Sequence, residues 1–108
     1  MKRTFLLLWF VAGALPAGAQ NFPVAPDLWD RPRSAQSVQA SPAVRQAADA
    51  MLARPGARLV IRHAPGPDGQ LQAEELRAWL MALALDGARI ALASDLRPRE
   101  NLVIELKP

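Results

Sequence analysis

Residues 57–85, ARLVIRHAPGPDGQLQAEELRAWLMALAL, decide the fold. They begin with a short apolar run at Leu59-Val60-Ile61, pass through a loop rich in proline and glycine, and end in a long helical pattern. A short, β-branched apolar run predicts a strand, and we expect this one to be buried on both faces. Residues 89–93 supply a closing strand, so the sequence predicts a βαβ unit with a right-handed crossover.

A helix precedes this unit and another strand follows it. Ser41-Pro42 places a favourable N-cap residue before proline at the first helical position, and Pro55-Gly56 ends the helix. Apolar residues alternate over residues 102–106, as in a half-exposed strand. We expect this last strand to pair with residues 89–93 as a hairpin across Ser94–Asn101.

These patterns predict an α+β fold in the order α-β-α-β-β. We expect a small mixed sheet of about three strands with two helices on one face. The second helix is predicted over residues 73–85, with Asp86-Gly87 closing it because glycine suits a left-handed C-terminal position. The folded domain should occupy residues 41–108.

Two segments precede the predicted domain. Residues 1–19 combine two basic residues, an apolar stretch and an A-x-A cleavage site before Gln20, the features of a signal peptide. The apolar stretch, residues 5–15, is too short to span a hydrocarbon layer of roughly 30 Å. We therefore expect export to the periplasm of a Gram-negative bacterium, with no membrane span in the mature chain. Residues 20–40, rich in proline, serine and glutamine, predict a linker.

Composition excludes several functional classes. Removing Lys2 and Arg3 from the 13 basic residues leaves 11 against 10 acidic residues, a net charge of +1. Nucleic-acid binding calls for a clustered basic face, so we expect no nucleic-acid partner. There is no cysteine and one histidine, which leaves a structural zinc site without ligands. We predict no metal and no cofactor.

The order of features over residues 42–106 resembles the OmpA-like peptidoglycan-binding domains of bacterial envelopes. The resemblance is carried by a helix, a proline break, a strand ending near a histidine, an Arg-Ala pair in the next helix and a terminal strand: Val44–Leu52, Pro55, Leu59–His63, Arg77-Ala78 and Asn101–Leu106. It implies cell-wall binding, with Arg77 holding a ligand carboxylate near His63. Pro65 stands where the family has an aspartate, and Asp68 is the acid close enough to replace it. The alternative role for Arg77 is an ion pair with Glu74.

Two further resemblances are local. Leu59–His63 resembles the strand of histidine phosphatases that ends in Arg-His, which would make His63 a nucleophile among Arg62 and Arg97. That family needs a second histidine, so we predict no enzymatic activity and a structural role for His63. Residues 68–75 match the second half of a calcium-binding EF-hand loop, but the first two ligand positions carry no side-chain oxygen. We expect a tight turn there.

Large apolar residues indicate surfaces for partners. Trp79–Leu85 is apolar nearly all round, so this part of the helix, including Met81, is either buried on two sides or covered by a partner. Trp29 either folds back onto the core or docks to a partner. The sequence therefore predicts a non-catalytic exported module that contacts peptidoglycan or an envelope protein. An oligomer is an open alternative.

Overall fold

The computed structural model describes residues 19–108, so the predicted signal peptide lies outside it apart from Ala19. The described chain is an α+β domain, as predicted, with a four-stranded mixed sheet: β1 (Gln20–Pro23), β2 (Arg58–Arg62), β3 (Ile90–Ala93) and β4 (Val103–Lys107). Three α-helices accompany it: α1 (Ala35–Gln39), α2 (Pro42–Ala53) and α3 (Pro67–Ala82). Two 3-10 turns complete the order, Pro26–Asp30 and Gly87–Arg89. The described chain thus has one more strand and one more helix than predicted.

The strand order is β1-β4-β2-β3. Strands β2 and β3 are parallel and joined through α3, so the predicted βαβ unit is present. The predicted hairpin between β3 and β4 is wrong, because β4 lies antiparallel to β2 on the side away from β3. Pairing with β2 sets Leu106 opposite Leu59 and Ile104 opposite Ile61, which joins two alternating apolar patterns on one face.

The core lies on one face of the sheet. Leu59, Ile61, Ile104 and Leu106 are fully buried there and pack in one cluster with the apolar faces of α2 and α3. Residues of the opposite face, such as Val60 and Glu105, are only half-buried. The expectation that β2 is buried on both faces is therefore wrong. Both long helices lie on the same side of the sheet and leave its outer face to solvent.

The extra strand and helix lie within residues 20–40, for which the sequence predicts a linker. Val24 and Val38 are buried in the core, and the Val24 amide donates to the Leu102 carbonyl over 2.9 Å. Pro23 closes an edge strand and Pro26 begins a 3-10 turn, positions at which proline costs no needed hydrogen bond. Isolated apolar residues such as Val24 and Val38 produce no helical or strand periodicity in the sequence, although both are buried in the core.

The C-terminus of α3 differs from the prediction in a specific way. The helix ends at Ala82, and Ala84 takes the left-handed conformation, with φ of 75°. The amide of Leu85 donates to the Leu80 carbonyl over 3.1 Å, and that of Ala84 donates to Met81 over 2.9 Å. This is a Schellman motif, and it turns Leu85 back into the core. Gly87 belongs to the following 3-10 turn.

We expect Ala84→Gly to raise the free energy of unfolding by about 1 kcal/mol, because glycine removes the clash of a Cβ in the left-handed region. Chemical denaturation measures the change. The matched control is Ala82→Gly, in the helical last turn, which should lower stability by a similar amount. Equal destabilisation by both substitutions would contradict the left-handed assignment of Ala84.

Candidate functional site

The structure separates the six predicted site residues into three places. His63 lies at the end of β2, is 5% exposed, and donates its backbone amide to the Ala93 carbonyl over 2.9 Å. Its Nδ1 lies 2.9 Å from the carbonyl oxygen of Ala64. Because a carbonyl only accepts, Nδ1 carries the proton and donates it. The histidine thereby ties the end of β2 to the loop that leads into α3.

Arg77 and Met81 lie against the turn that precedes β3. The Nε of Arg77 donates to the Ile90 carbonyl over 3.1 Å, and its Nη2 donates to the Gly87 carbonyl over 2.8 Å. A Cβ on Gly87 would lie 3.0 Å from the Met81 Sδ, so this methionine covers the turn closely. Glu74 accepts from Gln70 over 3.0 Å rather than pairing with Arg77. Arg77 therefore anchors the 3-10 turn and β3 to α3.

Of the remaining three, Trp29 and Asp68 lie beside the first half of α3, and Trp79 lies one turn beyond it. An open groove of about 590 Å³ lies between this helix and the segment that begins with the first 3-10 turn. We call it the α3 groove, and its lining is Trp29, Arg33, Asp68, Leu71, Gln72, Glu74 and Glu75. Trp79 adjoins it by donating its indole N–H to Glu75 over 3.1 Å.

An ion pair holds the two walls of the α3 groove together. The Arg33 guanidinium donates to both carboxylate oxygens of Glu75, over 2.8 Å and 3.0 Å. It also lies over the Trp29 ring, 5.2 Å from the centroid. Arg33 is therefore part of a tertiary network, although its scattered basic neighbours in the sequence suggest only a solvated surface residue. Its partner is 42 positions away, and only tertiary packing reveals such a pair.

This network shifts the pKa of Glu75 downward. The hydrogen bond from Arg33 is the largest cause; desolvation opposes it, and the Trp79 indole and the charge of Arg33 add to it. A carboxyl with a lowered folded-state pKa adds stability above its unfolded value of 4.5, and that stability is lost as pH falls through the folded-state pKa.

We expect Glu75→Gln to lower the free energy of unfolding by about 0.5–1 kcal/mol at neutral pH, a small value because the Glu75 side chain is 35% exposed. The difference between wild type and variant should shrink below pH 4.5 as the wild-type carboxylate is protonated. Thermal unfolding of both proteins at several pH values from 3 to 7 measures this difference in stability. A difference that stays constant down to pH 3 would contradict the ion pair.

The charge and polarity of the α3 groove suit a mixed ligand. Three carboxylates, Asp68, Glu74 and Glu75, line it against the single guanidinium of Arg33. Leu71 is 63% exposed at the same place, beside the half-buried Trp29. Such a surface matches a partner segment with apolar and basic side chains, since the charges attract and the apolar groups leave water.

The sequence predicts three site residues at or beside the α3 groove, Trp29, Asp68 and Trp79, but does not single out Arg33, Leu71 or Glu75 as site residues. The four-residue spacing of Glu75 and Trp79 is a usable signal, because residues at that spacing are neighbours on a helix. Nothing local in the sequence indicates that Arg33 reaches them.

Other classes of site are not found in the described residues. Within residues 19–108, no three His, Asp or Glu side chains are grouped so that they could hold a metal ion. None of the helices in this part of the chain is long and apolar enough to cross a membrane. Comparison with known proteins finds no family model that matches the chain and no match among curated proteins.

Proposed function

We propose that this chain is a non-catalytic binding module of the bacterial envelope and that the α3 groove is its binding surface. One observation carries the proposal: Trp29 and the exposed Leu71 lie together in a groove lined by three carboxylates. The partner segment that fits it carries apolar and basic side chains. Export to the periplasm, indicated by the N-terminal sequence pattern, places the partner among envelope components.

The rigidity of the α3 groove supports this function. Arg33, Glu75 and Trp79 are linked by hydrogen bonds before any partner arrives, and the Arg33 guanidinium packs on Trp29. A surface whose side chains are already ordered loses less entropy on binding. The groove can therefore bind a short segment despite its modest size.

The order of elements also supports kinship with the OmpA-like domains. Helix α2, the break at Pro55, strand β2 before His63, helix α3 with Arg77-Ala78, and β4 follow one another as that resemblance implies. Membership in this family is part of the proposal, and it makes peptidoglycan the second candidate partner. This order of elements is the observation in favour of peptidoglycan, because the Arg77 guanidinium is already bonded to the Gly87 and Ile90 carbonyls.

A peptide titration tests the α3 groove directly. The ¹⁵N-labelled protein, after removal of the signal peptide, is titrated with a short synthetic peptide of alternating leucine and arginine, and with a leucine–glutamate peptide as control. We expect the indole N–H signals of Trp29 and Trp79 to shift with the basic peptide alone. Shifts confined to the outer face of the sheet, or none at millimolar peptide, would remove the groove as the binding surface.

Two leucine variants sharpen this titration. Leu71→Ser removes the exposed apolar group of the groove. It should raise the dissociation constant of the leucine–arginine peptide about tenfold, which corresponds to about 1.4 kcal/mol of binding free energy. The matched control is Leu52→Ser, since Leu52 is 73% exposed but lies at the end of α2. We expect this control not to weaken the binding of the peptide, because Leu52 lies outside the groove. Equal weakening by both variants would count against a groove-specific contact.

Purified peptidoglycan sacculi test the second candidate. If the cell wall is the ligand, the wild-type protein sediments with sacculi and Arg77→Ala does not. Because Arg77 also anchors the turn before β3, thermal unfolding of the variant must first show a folded protein. Equal retention of both proteins would remove Arg77 from the binding site.

A further inference from the structure

A second surface of the molecule is the chemical complement of the α3 groove. It lies where α2 ends and β2 begins, and we call it the basic end: Leu52, Arg54, Arg58 and Lys107. Arg89 holds the turn between the two elements by donating to the Ala57 and Arg54 carbonyls, each over 2.8 Å. The backbone at Arg54 and Ala57 is thus held at one end of the sheet, and Arg58 follows directly.

The basic end carries more positive than negative charge, since Glu105 is the one acidic residue on the face of the described strands β2 and β4 that bears Arg58 and Lys107. Arg58 and Lys107 stand directly opposite each other in the register of β2 and β4, and both are exposed. Like charges at such positions destabilise a sheet. The ion pairs of the described chain are Arg33–Glu75 and Arg62–Asp95, so neither cation belongs to one. An acidic surface that docks here would relieve the repulsion.

The α3 groove offers such a surface, on the premise that it is a binding site. We propose that the α3 groove of one molecule binds the basic end of a second copy of this chain. The groove presents three carboxylates against one guanidinium and the exposed Leu71. The basic end presents three cations and Leu52, which is 73% exposed. Each surface thus presents an exposed leucine, and the charges of the two surfaces are opposite in sign.

Topology prevents the two surfaces from meeting within one molecule. The loop after β2 leads directly into α3, so the groove lies toward the carboxyl end of β2. The basic end lies at the amino end of the same strand, and α3, with 16 residues, spans about 24 Å between these ends. The contact must therefore join two copies.

The resulting assembly is head-to-tail. Because the two surfaces differ, each contact leaves one groove and one basic end free, and the chain of molecules grows until it closes or dissociates. The attraction is partly electrostatic between exposed groups, so salt weakens it. Wild-type protein should show a mass that rises with concentration at low ionic strength and falls toward the monomer in 0.5 M NaCl.

Mixing two variants tests the proposal. The groove variant carries Leu71→Ser and Glu74→Lys, and the end variant carries Leu52→Ser and Arg58→Glu. All four positions are exposed, and Arg58→Glu replaces a repulsion with Lys107 by an attraction, so both variants should fold. In sedimentation velocity each variant alone should be monomeric. Their equimolar mixture should give a 1:1 dimer and nothing larger, because one intact groove meets one intact basic end.

Three results would overturn self-association: a monomeric wild type at all concentrations, a mixture that stays monomeric, or association of either variant alone. The peptide titration keeps this failure separate from failure of the proposed function. If the wild-type protein is monomeric but still binds the leucine–arginine peptide, only self-association is rejected and the groove remains the proposed binding surface. If the wild-type protein neither associates nor binds the peptide, both self-association and the proposed function of the α3 groove are rejected.

Discussion

Ile61→Ala is expected to lower the free energy of unfolding by about 2–5 kcal/mol. Ile61 is fully buried in the central strand β2, and its register partner on β4 is Ile104, which is also fully buried. Truncation removes apolar contacts and leaves a cavity, because β2 is held by neighbours on both sides and cannot collapse into the space. Denaturant unfolding, with the slope unchanged between variant and wild type, measures the loss.

The adjacent residue provides the control. Val60 lies on the outer face of the same strand and is only half-buried, so Val60→Ala should cost no more than about 1 kcal/mol, mainly through strand propensity. The contrast tests whether the helices cover one face alone. Losses of similar size at both positions would mean that the outer face is packed as well.

The second large effect is expected at Gly69, in the first turn of α3. A Cβ at this position would lie far inside van der Waals contact with the carbonyl oxygen of Ala64 and 3.1 Å from its carbonyl carbon. Both atoms belong to the backbone, and the same oxygen accepts from the His63 ring. We expect Gly69→Ala to destabilise the protein by about 1–3 kcal/mol.

This sign is opposite to that of an ordinary helical glycine, where alanine stabilises by about 1 kcal/mol. Gly56→Ala is the matched control, because nothing lies within 4 Å of a Cβ there. It should leave the denaturation midpoint unchanged or slightly higher. If Gly69→Ala proved as harmless as Gly56→Ala, the loop after β2 would not pack against α3 as the structure shows.

The parts of the fold that were predictable are those with a local signal. A short apolar run, a proline-glycine loop and a helical pattern indicate β2, α3 and the parallel β3 without knowledge of the rest of the chain. The place of β4 has no such signal, because β2 offers two edges and the choice depends on side-chain matching across 40 or so residues. Strand β1 is missed because its single large apolar residue, next to a proline, gives no periodic signal.

The residues of the candidate site also divide into those with a local sequence signal and those without one. Trp29 and Trp79 are recognisable as large apolar residues in polar or amphipathic surroundings; Trp29 lines the α3 groove, and Trp79 adjoins it through its hydrogen bond to Glu75. Arg33 resembles any other surface arginine in the sequence. Its role arises when the folded chain brings it to Glu75 of α3, and a pair between distant residues cannot be inferred from spacing alone.

The N-terminal segment, residues 20–40, folds onto the core, and Arg33 joins it to α3 so that it builds one wall of the groove. The sequence contains no cysteine, so Leu71→Cys gives a single site for a nitroxide label in the groove. Paramagnetic broadening of the Trp29 indole signal, compared with the reduced label, is the most direct measurement. We predict strong broadening of this signal and of the amides near Arg33. A Trp29 signal that stays sharp beside the label would contradict the groove and show residues 20–40 to be the linker their composition predicts.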